Sequence, residues 1–177
     1  MLKILNRDCQ CEITHLFTSV FSLSEGEKEG QLIGALVSEL AAQIDKQNII
    51  ALGQYDKTLM IGAIFFTRLE CHHDIHLYML SPVAVSTSYQ GQGVGQALIN
   101  HGLDELKTRR VDAVVTYGDP SFYSKLGFQV LSEDVIKAPL TLSMPQGWLG
   151  QSLTSAPIPV ISTRPSCVEA FNKPELW

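Results

Sequence analysis

The chain has 177 residues, of which 45% are apolar and 18% charged, and 13 Lys and Arg against 18 Asp and Glu give a net charge of −5. This composition excludes the disordered class, which lacks apolar surface, and argues against nucleic-acid binding, which depends on a basic face. No apolar run approaches the roughly 18 residues that cross a bilayer, and the N-terminal segment lacks the apolar core of a signal peptide. We therefore expect one domain, residues 1–177, in a cytoplasmic protein without nucleic-acid or membrane partners.

Helical spacing of apolar residues predicts a first helix over residues 7–21 and a second over 31–43. The residues with this spacing are Ile13, Leu16, Phe17 and Val20 in the first helix, and Leu32, Leu36, Val37 and Leu40 in the second. A Ser-, Glu- and Gly-rich segment at 22–30 predicts a loop between them. Three extended segments follow, at 49–55, 58–68 and 74–85, and a tight turn at Asp56 and Lys57 joins the first two.

The second half of the chain begins with glycines at alternate positions in residues 91–95. An amphipathic helix is predicted after them, with apolar residues Val94, Ala97, Leu98, Leu103 and Leu106. Next come a strand at 111–117, a short helix at 121–125 that Pro120 opens and Gly127 ends, and a strand at 128–131. This order predicts an α/β or α+β fold with a mixed sheet.

Residues 139–177 contain six of the eight prolines, which argues against a long regular element there. We expect this extension to pack on the domain as strand and loop. Trp148 and Trp177 within it are candidate exposed anchors, which leaves a homodimer open.

The glycines at 91–95 lie between a strand and a helix. The start of a helix carries unpaired N–H groups and partial positive charge, and glycines let an anion approach those groups closely. The segment therefore predicts a phosphate-binding loop that needs no basic side chain. The alternative is that the glycines only make a turn and that Pro82, which donates no backbone hydrogen bond, ends the strand early.

Two other phosphate-binding motifs fit less well. No Gly-Lys-Ser/Thr occurs, so the P-loop pattern fails. A dinucleotide fingerprint nearly fits from Gly91, with Asp112 at the distance of the ribose-binding acid, but Gln96 occupies the third glycine position. A dinucleotide-binding oxidoreductase is therefore a distant alternative.

Two blocks of sequence resemble the GNAT superfamily, the acyl-CoA-dependent N-acetyltransferases. Gln90-Gly91-Gln92-Gly93-Val94-Gly95 is similar to the Q/R-x-x-G-x-G/A signature, and residues 118–128, GDPSFYSKLGF, resemble the second block, Tyr-x-x-x-Gly-Phe. The specific likeness covers about residues 80–128, and a weaker one, to a bacterial subgroup of predicted N-acetyltransferases, covers nearly the whole chain. The resemblance implies a mostly antiparallel mixed central sheet with a splayed central strand, flanked by helices.

The resemblance also implies a cofactor, acetyl-CoA, and the residues that bind it. The main chain of Gln92 to Gln96 would bind the pyrophosphate, and the main chain of Val83 and Val85 would pair with pantetheine. The N–H of Val85 would also face the thioester oxygen, where negative charge develops. The full predicted cofactor-binding set is Val83, Ala84, Val85, Gln90, Gly91, Gln92, Gly93, Val94, Gly95 and Gln96.

The family's usual general acid maps to Tyr123, whose phenol is protonated at neutral pH and can donate to the departing thiolate. The alternative for Tyr123 is aromatic packing. The chain departs from the family at Thr116, where an asparagine is common, and at Gln90, where an arginine is common. With Thr116, one polar contact to the cofactor is not expected. With Gln90, the pyrophosphate would be bound almost wholly by main-chain donors, and Lys125 is a candidate for a compensating positive charge.

The sequence does not identify a general base. His76, Asp119 and the glutamates at 25, 27 and 29 are candidates, each more readily explained as a solvated or structural residue. Cys9 and Cys11 form an isolated C-x-C, and Cys71 precedes His72 and His73 directly, so we predict no metal site and reduced thiols.

The leading hypothesis is direct acetyl transfer from acetyl-CoA to a primary amine of a small molecule or peptide. No cysteine is placed by a motif to carry the acyl group. The second hypothesis is a non-catalytic acyl-CoA-binding module, a sensor or an interaction protein. The acceptor cannot be read from these motifs.

Overall fold

The computed structural model describes residues 1–71 and 74–177; His72 and His73, part of the only cysteine–histidine cluster considered above, lie outside the described residues. Its helices are α1 (Gln10–Glu25), α2 (Glu27–Ala42), α3 (Val94–Thr108) and α4 (Pro120–Tyr123). Its strands are β1 (Leu2–Ile4), β2 (Ile49–Asp56), β3 (Leu59–Leu69), β4 (Leu77–Val85), β5 (Ala113–Tyr117), β6 (Gln129–Val130) and β7 (Trp148–Ser152). No helix in the described part of the chain is long and apolar enough to cross a membrane.

The strands of the described residues form a seven-stranded mixed sheet in the order β1-β2-β3-β4-β5-β7-β6. β4 and β5 run parallel, whereas β1 with β2, β5 with β7 and β6 with β7 are antiparallel. The predicted fold, a mostly antiparallel mixed sheet flanked by helices, is confirmed. The chain divides into two compact units. The first unit comprises residues 1–66 and 82–102, and the second unit comprises residues 67–81 and 103–177.

In the first unit, α1 and α2 are joined by one residue. The predicted loop at 22–30 is wrong: Gly26, with φ +101°, makes the whole connection, and α2 already begins at Glu27. Glu27 and Glu29 lie in the first turn of α2, where the helix dipole stabilises negative charge. A glycine permits this sharp reversal because it has no Cβ to clash at positive φ.

Burial on α1 follows the predicted spacing: Ile13, Leu16, Phe17 and Val20 are all buried. On α2 the apolar face is rotated slightly, because Ile33 is buried where Leu32 was expected. α2 approaches α1 closely through glycines. A Cβ on Gly34 would lie 2.2 Å from the Thr18 Oγ1.

Helix α3 packs against β3 through two glycines. A Cβ on Gly62 would lie 2.9 Å from the side chain of Leu98, and one on Gly102 would lie 2.3 Å from the ring of Phe66. Ala97, predicted as part of the apolar face, is exposed, and Ile99 is buried instead.

In the second unit, β7 occupies the sheet position between β5 and β6. This strand lies in the proline-rich extension and was not predicted as a defined strand. Trp148 is fully buried and Trp177 only 5% exposed, so the expectation of exposed tryptophan anchors is wrong. Both indole N–H groups donate to backbone carbonyls at 2.9 Å, Trp148 to Ile136 and Trp177 to Phe171, which satisfies their polar atoms inside the core.

Candidate functional site

The first part of the candidate site is the end of β4. Its pairing with β5 runs from Leu77 with Ala113 to Leu80 with Thr116, whereas the strand itself continues to Val85. Pro82 therefore lies inside the strand rather than ending it, two residues past the last pair with β5. A proline is tolerated there because no ladder donor is required of it.

Beyond Leu80, the side chains of β4 alternate between buried and half-buried. Pro82 and Ala84 are buried, and Val83 and Val85 are partly exposed. The Ser86 N–H donates to the Ile61 carbonyl of β3 at 2.9 Å, which anchors the strand where it leaves the sheet.

The loop after β4 is held by its own side chains. The Gln90 Nε2 donates to the Val85 carbonyl and the Gln92 Nε2 donates to the Ser88 carbonyl, both at 3.0 Å. The Tyr89 hydroxyl donates to Asp56 at 2.9 Å, and this hydrogen bond raises the pKa of the Tyr89 phenol. The two glutamines therefore fix the loop conformation through their side chains, which leaves ligand binding to main-chain groups.

Gly91 and Gly93 leave the backbone of the loop open on one side. Their φ angles are +74° and +81°, and no atom lies within 4 Å of where a Cβ would stand on either residue. Both are exposed. An anion can therefore approach the backbone from the side that a Cβ would otherwise occupy.

Helix α3 begins directly after these two glycines. The Ala97 N–H donates to the Gly93 carbonyl at 2.9 Å, the first turn of the helix. The N–H groups that precede it, through Gln96, have no partner within the helix, and the helix dipole adds positive potential there. The Val94 side chain is buried and packs beside Gly62 of β3. This contact fixes the start of the helix. The predicted residues 83–85 and 90–96 thus lie in one segment of the first unit.

Tyr123 lies in the second unit, at the end of α4. The Asp119 carboxylate caps this helix by accepting from the Ser121 N–H at 2.9 Å, and Gly127, in a left-handed conformation, ends the following turn. Hydrogen bonds from Ser121 lower the pKa of Asp119. A carboxylate that is capped and more acidic than usual is a poor general base, so this candidate role is not supported.

The Tyr123 ring is enclosed by aromatic and backbone groups. Phe122 and Phe128 contact it edge-on, with ring centroids 5.1 and 5.6 Å away. A Cβ on Gly118 would lie only 2.6 Å from the ring. Burial raises the pKa of the Tyr123 phenol, and a hydrogen bond with the Thr116 side chain acts in the opposite direction. The phenol therefore keeps its proton at neutral pH.

Thr116 occupies the position where the family resemblance placed a departure. It is fully buried, and its hydroxyl donates to the Leu80 carbonyl at 2.7 Å. The sequence indicated this residue only as a mismatch.

Two of the other candidate bases, His76 and Glu27, have structural partners. The backbone N–H of His76 donates to the Asp112 carboxylate at 2.8 Å. The imidazole Nδ1 of His76 lies 3.3 Å from the Arg110 carbonyl. Asp112 thus accepts a hydrogen bond from the backbone, which does not favour the ribose-binding role of the dinucleotide alternative. Glu27 accepts a hydrogen bond from Gln31 at 3.5 Å along α2.

The first unit contains a cavity of about 300 Å³ that no sequence motif indicated. It lies between α1, the start of β3 and the residues that follow Val85. Its lining combines leucines that are strongly exposed, Leu23 at 75% and Leu59 at 58%, with the carboxylate of Glu12 and the hydroxyl groups of residues 86–88. Exposed apolar side chains around a cavity are typical of a ligand-binding surface.

Residues 49–130 match the family model of the GNAT acetyltransferase domain. This match covers β2 to β6, including the glycine loop and Tyr123. The match confirms the predicted likeness to the GNAT superfamily over these residues.

Relatives of this chain include two proteins of Escherichia coli that are named as uncharacterized N-acetyltransferases. YhbS is 37% identical over 76 residues, 42% of this chain and 46% of its own length. YjhQ is 28% identical over 162 residues, 88% of this chain and 85% of its own length. The aligned segment thus spans about half the length of YhbS.

Solved structures of GNAT proteins share the fold. The E. coli YhbS structure, in complex with CoA, has a TM-score of 0.79 at 23% identity and covers 98% of this chain and 92% of its own. A Brucella melitensis GNAT acetyltransferase in complex with acetyl-CoA has a TM-score of 0.68 at 20% identity and covers 97% of both chains.

Proposed function

We propose that the protein is an N-acetyltransferase that transfers an acetyl group from acetyl-CoA to a primary amine of a small molecule or peptide. The observation that carries the proposal is the open space beside the backbone of Gly91 and Gly93, directly before the N-terminus of α3. Support comes from the likeness to the GNAT family model and from relatives of the same fold that were crystallised with CoA or acetyl-CoA.

The residues of the glycine loop fit the pyrophosphate of CoA. Two glycines leave the space of their missing Cβ atoms open, and the N–H groups at the start of α3 offer several donors to one anion. The loop from Gln90 to Gln96 contains no lysine or arginine, so these main-chain donors would supply the binding. The half-buried strand residues Val83 and Val85 would pair with pantetheine through their main chain.

Two groups of the chain would act on the reaction. The Val85 N–H would donate to the oxygen where negative charge develops, as an oxyanion donor. Tyr123, which burial keeps protonated, would donate its phenolic proton to the leaving sulfur. Acetyl-CoA supplies the activated acetyl group as a thioester.

Transfer would be direct, without an acyl-enzyme. The cysteines of the described chain are free, and burial raises the pKa of the Cys167 thiol. A thiol with a raised pKa is a weaker nucleophile at neutral pH because the thiolate is the reactive form.

The acceptor would bind in the cavity beside α1. Its exposed leucines suit an apolar body, and the Glu12 carboxylate, which already accepts a hydrogen bond from Tyr55 at 2.8 Å, suits an ammonium group at one end. A cavity of about 300 Å³ is at the small end of ligand sites, so it would hold a small molecule or one side chain of a peptide. A cytoplasmic location and a homodimer stay predictions.

The proposal is tested by incubating the protein with acetyl-CoA and a panel of aliphatic, arylalkyl and peptide amines, and measuring thiol release together with the acetylated product. We expect turnover with at least one cationic amine that has an apolar body. Tight CoA binding without turnover on any amine would instead support the non-catalytic acyl-CoA-binding module.

A further inference from the structure

The cavity beside α1 is lined by one face of that helix. Glu12, His15 and Ser19 follow one another at helical spacing, and all three belong to the cavity lining. Among the described residues that line the cavity, only Glu12 and His15 are titratable, and both are exposed. The cavity therefore places an imidazole about one helical turn from the carboxylate that is proposed to bind the acceptor.

The same cavity adjoins the end of β4. Ser86, the residue directly after Val85, lines it together with Thr87 and Ser88. The Ser86 N–H donates to the Ile61 carbonyl of β3 at 2.9 Å, which holds this part of the wall on the sheet. An amine bound on Glu12 would thus lie in a cavity next to Val85, the proposed oxyanion donor. A nucleophile needs such a position to reach the thioester carbon.

The Glu12 carboxylate and the His15 imidazole suit different tasks. The Tyr55 hydroxyl donates to Oε2 of Glu12 at 2.8 Å, and Tyr55 itself is buried in β2, so the carboxylate is held in place. Carboxylates are ionised at neutral pH and accept a proton poorly there, whereas an imidazole takes up a proton near neutral pH. The carboxylate therefore suits binding of an ammonium group, and the imidazole suits removal of a proton from it.

The His15 ring is available for this task. No group in the described part of the chain hydrogen-bonds to it, whereas the ring of His76 lies 3.3 Å from the Arg110 carbonyl. The exposure of His15 also allows its imidazolium form to release the proton to water. The base is thereby restored after each turnover.

We propose that His15 is the general base of acetyl transfer and removes a proton from the ammonium group that Glu12 binds. The inference rests on the proposed function. With the first proton on His15, the electron pair of the nitrogen forms the bond to the acetyl carbon. The C–S bond then breaks with its electron pair on sulfur, which takes the proton of Tyr123. The nitrogen loses its second proton to water, and a proton from water restores the Tyr123 phenol.

His15→Gln tests this role, because glutamine keeps a side chain that can hydrogen-bond but cannot hold the proton. His101→Gln is the matched control, since His101 is an exposed histidine on α3 in the same unit and does not line the cavity. With the amine identified in the screen, we expect His15→Gln to lower kcat by about 100-fold and His101→Gln to leave it unchanged. Equal melting temperatures of the three proteins exclude a folding defect.

A weakly basic acceptor separates proton removal from a structural role of His15. A fluorinated analogue of the same amine is largely unprotonated at neutral pH, so it can attack without first losing a proton. We expect the ratio of wild-type kcat to His15→Gln kcat to be about tenfold smaller with this analogue. An equal ratio for the two amines would overturn the proposal, because the effect of His15 would then not concern the proton.

A binding measurement places the amine next to His15 without turnover. The imidazole resonances of His15, assigned with His15→Gln, should shift in proton NMR when the amine is added in the presence of CoA, which carries no acetyl group. Those of His101 should not shift, and Glu12→Gln should abolish the effect. An unchanged His15 signal, or full activity of His15→Gln in a protein that acetylates the amine, would overturn this inference and leave the proposed function standing. Absence of turnover by the wild type on every amine would overturn both.

Discussion

The Gly118 backbone lies so close to the Tyr123 ring that a Cβ there would stand 2.6 Å from the ring carbon Cε2. Gly118 is itself held, because its N–H donates to the Gly147 carbonyl at 2.9 Å. The backbone that follows β5 therefore restricts the position of the Tyr123 ring, the candidate general acid.

Gly118→Ala should displace the Tyr123 ring and lower acetyl transfer by about tenfold or more, since a shift of about 1 Å at a catalytic group is costly. The measurement is kcat with the amine identified in the screen. Gly150→Ala is the control: it crowds Ile158 and Leu131 at 3.0 Å, without contacting Tyr123. An equal loss of kcat in both variants would contradict a specific effect on Tyr123.

Tyr123→Phe should lower kcat by about 100-fold, the usual contribution of a general acid, and leave CoA affinity unchanged. Because burial raises the pKa of the phenol above its ordinary value of 10, wild-type kcat should not fall through Tyr123 ionisation below pH 10. The pH–rate profile tests this direction. Tyr123 is active as an acid only while it is protonated, so kcat would fall only as the pH rises through the pKa of the phenol. Full activity of Tyr123→Phe would exclude the acid role.

The cavity beside α1 is tested by Glu12→Gln and Leu59→Ser. Both should raise KM for the amine several-fold, through lost charge and lost apolar contact respectively, and leave KM for acetyl-CoA unchanged. Val160→Ser, which removes a similarly exposed apolar residue at 69% exposure outside the cavity, serves as the control. If all three variants keep the wild-type KM for the amine, the acceptor binds elsewhere.

The α1–α2 contact predicts an unusual stability effect. A Cβ on Gly30 would lie 1.9 Å from the Ser22 Oγ and 2.7 Å from its backbone nitrogen. Gly30→Ala should therefore destabilise the protein by about 1–3 kcal/mol through overpacking, although alanine favours helix formation by about 1 kcal/mol. Gly34→Ala should cost less, because it meets the Thr18 side chain and no backbone atom there. Urea unfolding measures the free energy of unfolding of both variants. A decrease shows that crowding dominates, and an increase shows that the helix propensity of alanine dominates.

Sequence patterns predicted most of the first unit because its elements bury regular apolar faces. The four buried residues of α1 recur at helical spacing, and β2 and β3 are bounded by a turn in which Lys57 adopts φ +54°. The connection between α1 and α2 was missed because a single glycine makes it. Nothing in the local pattern of residues 22–30 distinguishes a one-residue connection between two helices from a longer loop.

The second unit was less predictable because its core joins distant segments. Tyr117 stacks on Trp177 with ring centroids 6.2 Å apart, and Trp177 also contacts Trp148 and Phe171. Such a cluster has no periodicity along the chain, so both tryptophans were misjudged as exposed. In the site, motif spacing indicated the glycine loop and Tyr123, whereas the loop-holding bonds of Gln90 and Gln92 depend on backbone geometry that a motif does not contain.

The central claim, a CoA pyrophosphate site at the glycine loop, is tested most directly by thermal unfolding with and without acetyl-CoA, with NAD as the control ligand. At about 100 times its Kd, acetyl-CoA should stabilise the wild-type protein by about 2.7 kcal/mol. Gly93→Ala should lose this stabilisation because a Cβ occupies the open space, whereas Gly26→Ala, with a similar positive φ and equally open surroundings, should retain it. No stabilisation of the wild type by acetyl-CoA, or an equal effect of NAD, would contradict the account.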